Sequence, residues 1–418
     1  MSLEKLKIQM QRLEHVGFYK NLLSKHTQLD QYDPEETESV FETFPIIDKT
    51  IIKSDYTNFI CDSLLCDEIQ DILNLNRDFN REYLYELNGT KVYAEYTSGT
   101  TGAPFVAIKS LSDRVMLSKN MWKLRNQYRN VRPLDMFLFI HTYGGDNIYP
   151  FPFEDPGQEP ETVIKELEFL QQAPYEWWHI NGYNLEYYYK YMTKNAGSYT
   201  FDALKVIENC GGYLSDEDKQ RYAKLFNAQV ADCYGCREVW CIGYSCKEGN
   251  LHVNSDVVKV ELIDEQGSVI KQPGVIGRIA LTTLKQQAMP FIRYLVGDSA
   301  SYLDHCTCGS KAPCIKLHPD RSFIAGTNEY GSVVFKNVVA WMNKRYKISN
   351  FSVISIKQTD YKSMEVNVKR SKENREELEK GFVESFRFVM PDSNYCFKFT
   401  YDDHLISKNI FTLGFRPG

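Results

Sequence analysis

Hydrophobic positions recur along the chain at two spacings, one typical of helices and the other typical of buried strands. Near the N-terminus, Leu3, Leu6, Met10, Leu13 and Val16 recur near helical spacing, which predicts an amphipathic helix. From about residue 91 to residue 300, short apolar runs alternate with helical stretches. Such alternation favours a layered α/β body.

The elements predicted within this body are several strands and two long helices. The strands are expected at 92–96, 105–108, 136–140 and 229–231, and the helices at 112–128 and 162–172. Closer to the N-terminus, Asp48 is expected to cap a helix that follows it.

The last hundred residues show the same two spacings in a smaller set of elements. Their expected order is helix, strand, strand, helix, strand, at 335–346, 351–356, 364–368, 378–389 and 397–401. This order describes a small α+β sandwich. We therefore expect an α/β protein with a large N-terminal layered α/β domain over residues 1–322 and a small C-terminal α+β domain over residues 323–418.

The composition is that of a folded protein, with 43% hydrophobic and 25% charged residues among 418. The 49 basic and 55 acidic residues give a net charge of −6, which disfavours a nucleic-acid partner because such proteins carry a basic field. No apolar run approaches the roughly 20 residues that span a bilayer, and the N-terminus lacks a signal-peptide core. We expect no membrane partner and a cytoplasmic location, where the eleven cysteines are reduced thiols or metal ligands.

The most informative segment is rich in hydroxyl side chains and glycine. It reads Tyr96-Thr97-Ser98-Gly99-Thr100-Thr101-Gly102-Ala103-Pro104. Gly99 and Gly102 allow a tight turn, and the hydroxyl and amide groups can surround phosphate oxygens. It is not a Walker loop, because no Gly-Lys-Ser/Thr follows. Taken alone, the segment indicates either a phosphate-binding loop or an ordinary surface turn.

Three further segments follow it along the chain. Together the four resemble, in the same order, the motifs of the adenylate-forming superfamily, specifically its phenylacetate–CoA ligase and CapK-like branch. The three are Gly211-Gly212-Tyr213-Leu214-Ser215, Tyr234-Gly235-Cys236-Arg237-Glu238 and Met289-Pro290-Phe291-Ile292-Arg293-Tyr294-Leu295-Val296-Gly297-Asp298. The first of these is one residue shorter than the branch pattern and lacks its glutamate. The resemblance covers residues 96–298.

The resemblance implies a two-step reaction. A carboxylate attacks the α-phosphorus of ATP to give acyl-AMP and pyrophosphate, and then a thiol of CoA or of a carrier protein's phosphopantetheine takes the acyl group. The implied cofactors are ATP, Mg²⁺ and CoA or phosphopantetheine, and the implied partners are a small carboxylic acid and an acyl carrier protein. The alternatives are transfer of the acyl group to an amine or hydroxyl, and a nucleotide-binding relative with weak catalysis.

The resemblance also implies a role for each segment. Tyr234 would stack on adenine, Asp298 would accept hydrogen bonds from the ribose, Glu238 would bind Mg²⁺, and Lys408 would bridge the incoming carboxylate and the α-phosphate. The implied cofactor-binding residues are Thr97, Ser98, Gly99, Thr100, Thr101, Gly102, Gly211, Tyr234, Gly235, Arg237, Asp298 and Arg321. The implied catalytic residues are Lys408 and Glu238.

Several positions depart from the pattern of the family. Phe105 stands where many relatives have a lysine, and Lys109 is a candidate substitute. Arg237 replaces a threonine or serine and can meet a phosphate as a cation. The hinge motif is reduced to Asp320-Arg321, and Lys408 lies in a Ser-Lys-Asn rather than a Gly-Lys context. These departures keep the weakly catalytic alternative open.

Aromatic residues precede and flank the second motif, where relatives build their acyl pocket. The candidate pocket residues are His141, Tyr143, Trp178 and Gly212. Aromatic walls favour a flat ring, so an aryl or arylacetic acid is the first substrate expected. The alternative is that the tryptophan pair 177–178 belongs to the core.

A set of thiols and one imidazole matches the ligands of a structural zinc site. The candidate ligands are Cys246, His252, Cys306 and Cys308. Three thiolates and one imidazole suit tetrahedral Zn²⁺, and a closed four-ligand site serves stability. Some relatives carry a metal cluster at similar positions. Cys314 and His305 compete as ligands, and reduced thiols in an apolar setting are the alternative.

Overall fold

The computed structural model describes the chain in thirteen ranges: 3–25, 34–74, 82–96, 105–140, 160–180, 182–194, 199–210, 214–318, 353–360, 363–368, 375–389, 396–401 and 410–412. These residues fall into two compact units. The first draws on Met1–Gly99, Ala103–Leu134 and Ala231–His318, and the second on Thr100–Gly102, Asp135–Val230 and Pro319–Gly418. The expected domain boundary near 322 lies outside the described residues and stays a prediction.

Short helices open the first unit. They are α1 (Leu3–Arg12), α2 (Gly17–Leu23), α3 (Pro34–Glu42), α4 (Lys49–Ser54) and α5 (Asp67–Asn74). The predicted first helix is confirmed up to Arg12, and Leu6 and Met10 of its apolar stripe are fully buried. Val16 lies beyond it in extended backbone, with a φ of −129°. Asp48 caps α4 as expected, since its carboxylate accepts from the backbone N–H groups of Thr50 and Ile51 at 2.8 and 2.9 Å. Within the described ranges, no helix is both long and apolar enough to cross a membrane.

A three-stranded antiparallel sheet and a long helix follow in the same unit. The sheet has the order β1 (Glu82–Leu87), β2 (Thr90–Tyr96), β3 (Val106–Ser110). Helix α6 (Leu111–Arg129) begins at a capping box in which Ser110 and Asp113 satisfy each other's backbone N–H groups, and it ends at Asn130 in the left-handed conformation. The strands and helix predicted here are confirmed.

The first unit is completed by an antiparallel sheet in the order β11-β10-β12-β13-β14-β9-β8-β7. Its strands are β7 (Gln229–Tyr234), β8 (Gly243–Ser245), β9 (Leu251–Val253), β10 (Val258–Ile263), β11 (Val269–Ile270), β12 (Ile276–Thr283), β13 (Tyr294–Tyr302) and β14 (Cys314–His318). The expected alternation with helices therefore stops before residue 229. Several of these strands are only two or three residues long, which hides their period in the sequence.

The second unit contains a parallel sheet with helices between its strands. The elements are β4 (Phe137–Ile140), α7 (Pro160–Gln172), β5 (Trp177–Ile180), α8 (Gly182–Lys194), β6 (Val206–Asn209) and α9 (Asp216–Phe226). Strands β4, β5 and β6 pair in parallel, in the order in which they occur in the chain. This arrangement is the layered α/β pattern that the sequence predicts.

The C-terminal part of the second unit holds a four-stranded sheet in the order β17-β16-β15-β18. The elements are β15 (Val353–Asp360), β16 (Ser363–Val368), α10 (Arg375–Val389), β17 (Cys396–Tyr401) and β18 (Ile410–Thr412). Met364, Val366 and Val368 are buried in alternation, and Phe382 and Phe386 of α10 are fully buried, as their spacing predicts. Strand β18 was not expected, and the helix predicted at 335–346 lies outside the described residues.

An exposed charge cluster ties α1 to α6 through the loop between β9 and β10. Lys5 Nζ lies 2.6 Å from the Asp256 carboxylate, which Lys123 also contacts, and both lysines lower the pKa of this carboxyl to about 2. Because the pKa is lower in the folded chain, the stabilisation is present above about pH 4 and is lost as the pH falls towards 2.

The Asp256→Asn variant is therefore expected to lose about 1 kcal/mol of unfolding free energy at pH 7, after allowance for solvent screening. The difference from the wild-type protein should disappear near pH 2. Chemical denaturation at the two pH values measures it, with the exposed Asp202→Asn as control. An equal loss at both pH values would contradict the electrostatic origin.

Candidate functional site

A tight loop follows β7 and carries the predicted residues Tyr234, Gly235, Arg237 and Glu238. The backbone N–H of Trp240 donates to the Cys236 carbonyl at 2.7 Å, which closes the loop. A Cβ atom on Gly235 would lie 1.6 Å from the carbonyl oxygen of Trp240. Only glycine fits there, so this residue of the motif has a steric reason.

Tyr234 and Asp298 meet although 64 positions separate them in the chain. Tyr234 ends β7, Asp298 lies in β13, and the tyrosine hydroxyl donates to Asp298 Oδ2 at 3.0 Å. Both side chains are half-buried. An aromatic face beside a carboxylate provides a stacking surface and a hydrogen-bond acceptor, which are the two groups a nucleoside requires.

Glu238 lies fully buried at the far side of the same loop. Its Oε1 accepts from the Tyr294 hydroxyl at 2.6 Å and lies 3.2 Å from Lys49 Nζ. Burial raises the pKa of the Glu238 carboxyl, but the Lys49 ammonium and the Tyr294 hydroxyl outweigh it, so the net pKa lies below its usual range. The carboxylate is therefore ionised at neutral pH.

The second carboxylate oxygen of Glu238 has different surroundings from the first. Among the described residues, Glu238 Oε2 is buried and has no hydrogen-bond partner. An ionised carboxylate oxygen without a partner is costly to bury and is a ligand that Mg²⁺ prefers. The donor present at this position therefore fits a magnesium ion.

Lys49 belongs to the site, although no motif of the sequence predicts it. It is the first residue of α4, and its Nζ also lies 5.5 Å from the ring centre of Phe105. The backbone of Ile47 makes two hydrogen bonds at the start of β13. Its N–H donates to the Arg293 carbonyl at 3.1 Å, and its carbonyl accepts from the Leu295 N–H at 2.8 Å. These bonds bring the N-terminal segment to Glu238.

The candidate substitute Lys109 is engaged by other groups of the chain. Lys109 is completely buried, with its Nζ 2.9 Å from Glu95 Oε2 and 2.5 Å from the Arg237 carbonyl oxygen. A fully enclosed ammonium with two close acceptors is not available to a nucleotide phosphate. The cation close to Phe105 is Lys49 instead.

Cys236 is the thiol nearest to the candidate site. Burial, followed by the nearby Glu238 charge, raises its pKa well above the usual range. It is therefore a protonated thiol at neutral pH and a poor nucleophile. The arrangement can orient and neutralise a bound ligand, and it contains no activated thiolate.

The four predicted zinc ligands come together in the first unit. Their ligand atoms all lie within 4.8 Å of one another, with Cys246 Sγ 3.6 Å from Cys306 Sγ and Cys308 Sγ 3.2 Å from His252 Nε2. Cys246 follows β8, His252 lies in β9, and the other two precede β14. The pairing of β9 with β14 brings the two halves together.

Neighbouring groups orient these ligands. His252 Nδ1 lies 3.1 Å from the Ala312 carbonyl oxygen, which favours a proton on Nδ1 and leaves Nε2 to the cluster. Asn250 donates to Cys306 Sγ at 3.2 Å, and the Ser310 N–H donates to Cys308 Sγ at 3.4 Å. The donor set and its supports fit Zn²⁺.

The competing zinc ligands lie outside this set. The His305 side chain is highly exposed and pairs with Asp304 at 3.6 Å. Cys314 is buried opposite His252 but is not one of the four mutually close residues.

Trp178 packs as a core residue. Its ring is fully buried and meets Phe201 and Phe226 edge to face, at 5.0 and 5.8 Å between ring centres. The structure thus favours the core interpretation of Trp178, and its role in a substrate pocket stays a prediction. The remaining candidate residues lie outside the described ranges: Thr97, Ser98, Gly99, Thr100, Thr101, Gly102, His141, Tyr143, Gly211, Gly212, Arg321 and Lys408.

Comparison with solved structures identifies the fold. A 2-hydroxyisobutyryl-CoA ligase in complex with 2-HIB-AMP and CoA matches with a TM-score of 0.60 and 14% identity over 98% of this chain and 88% of that chain. An open conformation of that ligase, again with 2-HIB-AMP and CoA, matches with a TM-score of 0.55 and 15% identity over 100% and 89% of the two chains. This chain has the fold of an adenylate-forming CoA ligase.

The expected fold class and the family resemblance are thereby confirmed at the level of the fold. No protein-family model matches the sequence, and no curated protein matches it. The likeness to adenylate-forming CoA ligases is therefore carried by three-dimensional structure at low sequence identity.

Proposed function

We propose that this chain is an AMP-forming acid–thiol ligase. An oxygen of a small carboxylic acid attacks the α-phosphorus of ATP, the bond to the bridging oxygen of pyrophosphate breaks, and acyl-AMP forms. The thiol sulfur of CoA then attacks the acyl carbonyl, AMP leaves, and the thiol proton is released. One observation carries the proposal: Tyr234 bonds to Asp298 and Glu238 bonds to Tyr294, so β7 and the loop after it meet β13 through the motif residues, on a fold shared with a ligase solved with 2-HIB-AMP and CoA.

Each residue of this group has a role that its surroundings support. The half-buried Tyr234 offers its ring to adenine, and Asp298 accepts hydrogen bonds from the ribose hydroxyls. The ionised, buried Glu238 would hold Mg²⁺ through its unpartnered oxygen. When bound, Mg²⁺ neutralises phosphate charge. Ser98 through Gly102 would cradle the β- and γ-phosphates of ATP, as the family resemblance implies.

Neither half-reaction needs a nucleophile from the protein. The protonated Cys236 agrees with this, because it is not poised to attack an acyl group. Positioning and charge neutralisation therefore supply the rate enhancement. Lys408 would contact the incoming carboxylate and the α-phosphate, and the C-terminal domain over 323–418 would move between the two half-reactions.

The acid and the acceptor are the finer parts of the proposal. An aromatic acid remains the first expectation, although the core position of Trp178 removes one of its supports. The similar ligase is named for an aliphatic hydroxy acid, 2-hydroxyisobutyrate. CoA is the first acceptor to test, and the phosphopantetheine of an acyl carrier protein is the second.

Exchange of radiolabelled pyrophosphate into ATP tests the first half-reaction. The panel contains benzoates, arylacetates and 2-hydroxyisobutyrate, and at least one acid should support exchange. Binding of a non-hydrolysable ATP analogue without exchange for any acid would instead favour the weakly catalytic nucleotide-binding alternative.

Release of AMP measures the second half-reaction. With an active acid, CoA or a phosphopantetheinylated carrier protein should accelerate AMP release and yield a thioester. Acceleration by amines or hydroxyl compounds, but not by thiols, would overturn the proposed acceptor class.

The Lys49→Met variant is expected to raise the KM for ATP–Mg²⁺ about tenfold. Lys49 is one-third exposed beside Glu238, where its ammonium can also contact a phosphate. Pyrophosphate exchange at varied ATP concentrations measures the KM. Lys53→Met removes the same charge from the same helix and should stay near wild type. Equal effects of the two variants would show that only the general charge of α4 matters.

We further propose that Cys246, His252, Cys306 and Cys308 hold a structural zinc ion. The closeness of the four ligand atoms and the orientation of His252 by Ala312 support the assignment. A set of four protein ligands leaves no open position for chemistry. The ion would fasten the β8–β9 turn to the segment that precedes β14.

A further inference from the structure

A buried ion pair joins the two strands that precede and follow the glycine-rich segment in the chain. Glu95 lies near the end of β2 and Lys109 lies in β3. Their charged atoms are 2.9 Å apart, and neither side chain is exposed. Glu95 is opposite Ala107 and Lys109 is opposite Tyr93, so the two charges stand diagonally on one face of the antiparallel pair.

The same ion pair holds the loop that carries Glu238. Lys109 Nζ donates to the backbone carbonyl of Arg237 at 2.5 Å. The indole Nε1 of Trp240 donates to Glu95 Oε2 at 2.9 Å. Arg237 precedes Glu238 in the chain and Trp240 follows it. The Glu95–Lys109 ion pair is therefore hydrogen-bonded to the loop on both sides of the candidate magnesium ligand.

The backbone conformation of Trp240 is a second sign that the loop is held in place. Its φ of +61° lies in the left-handed region, which a non-glycine residue occupies only when its surroundings enforce it. The bond from its indole to Glu95 and the bond from its N–H to Cys236 are two such constraints. Arg114 is a third, since its guanidinium lies 5.1 Å from the Trp240 ring centre and 3.9 Å from Glu95 Oε1.

We propose that Glu95 and Lys109 are positioning residues that fix the Glu238 loop against the strands flanking the glycine-rich segment. Buried ion pairs contribute little stability compared with apolar residues of similar volume, so the pair's value lies in the geometry it imposes. This inference rests on the proposed function and deepens it. It names the residues that hold the loop of the candidate magnesium ligand against β2 and β3.

The test uses the double variant E95Q/K109M, which removes both charges of the pair together, while Arg114 keeps its ion pair with Glu82 at 2.8 Å. The glutamine oxygen can still accept from Trp240, whereas methionine cannot donate to the Arg237 carbonyl. We expect a nearly unchanged Tm but about tenfold faster hydrogen exchange in the peptide 235–242. The affinity for a non-hydrolysable ATP analogue with Mg²⁺ should weaken about tenfold as well.

The matched control is Lys205→Met, which removes a lysine from an exposed ion pair of the same 2.9 Å length with Glu176. It should change neither readout. If the double variant does not fold, Trp240→Phe provides the test, because it keeps both charges and removes only the indole bond to Glu95. Faster exchange in peptide 235–242 is expected there too.

The possible outcomes separate this inference from the proposed function. If a folded variant shows hydrogen exchange in peptide 235–242 at the wild-type rate, the positioning role is overturned. Absence of analogue binding by the wild-type protein would overturn the proposed nucleotide site, while the exchange measurement would still decide whether the pair holds the loop. Faster hydrogen exchange with an unchanged affinity for the ATP analogue would show that holding the loop does not assist nucleotide binding. This result would also overturn the inference.

Discussion

Replacement of Glu238 by glutamine is expected to lower carboxylate-dependent pyrophosphate exchange by about two to three orders of magnitude. Glutamine keeps the shape of the side chain and can still accept a hydrogen bond from Tyr294. It lacks the charge that attracts Lys49 and a divalent cation. The loss should therefore appear in activity and in the Mg²⁺ dependence of ATP binding, with little change in the fold.

Two further variants make this result specific. Glu265→Gln alters an exposed glutamate of the same first unit and should keep full exchange activity. Tyr294→Phe removes a hydrogen bond to Glu238 but keeps the carboxylate, and a loss of about tenfold is expected. Near-normal exchange in the Glu238→Gln protein, at saturating and at limiting Mg²⁺, would rule out the assigned metal ligand.

Loss of one zinc ligand is expected to lower the thermal midpoint by about 10 °C or more. The purified protein should contain about one zinc ion per chain, and Cys306→Ser or Cys308→Ser should lack it. The site connects the turn after β8 to the segment before β14, so its loss frees two loops at once. Metal analysis together with thermal unfolding gives the result.

A cysteine outside the cluster provides the control for the zinc prediction. Cys396 is exposed and distant in sequence, so Cys396→Ser should retain both the metal and the thermal midpoint. A zinc-free wild-type protein whose midpoint matches that of Cys306→Ser would support reduced thiols instead. Because a structural ion is not needed for chemistry, zinc-free variants should keep pyrophosphate exchange at low temperature.

The longer and more regular elements could be predicted from sequence alone. Helix α6 has a capping box at its start, and β16 alternates strictly between buried and half-buried residues. Such patterns state locally which face is buried. The sheet from β8 to β14 could not be read in this way, because several strands are short and have no visible period.

Site residues that belong to a sequence motif could be predicted. Site residues that reach the site through contacts distant in the sequence could not. Tyr234, Glu238 and Asp298 were expected from their segments, and so were the four cysteine and histidine residues. Lys49 has no signal of its own beyond the neighbouring cap at Asp48, since it reaches Glu238 across 189 positions of the chain. The surroundings of Lys109 could not be predicted either, because a sequence does not show that Glu95 encloses its charge.

The N-terminal segment also explains the buried arginine of the fourth motif. Arg293 donates to the carbonyls of Glu42 and Phe44 at 2.9 and 3.0 Å and pairs with Glu261 at 3.4 Å. Arg293 thus anchors residues 42–44 beside the start of β13. The motif combines this anchor with Asp298, the residue that we propose for the ribose.

The anchoring of residues 42–49 has a practical consequence for protein engineering. A shortened version that starts at the first strand would discard Lys49 and leave the guanidinium of Arg293 without two of its acceptors. Trimming for crystallisation, or grafting onto another catalytic scaffold, should therefore preserve these opening helices. Fusion partners are better joined through a linker ahead of Met1 than substituted for this region.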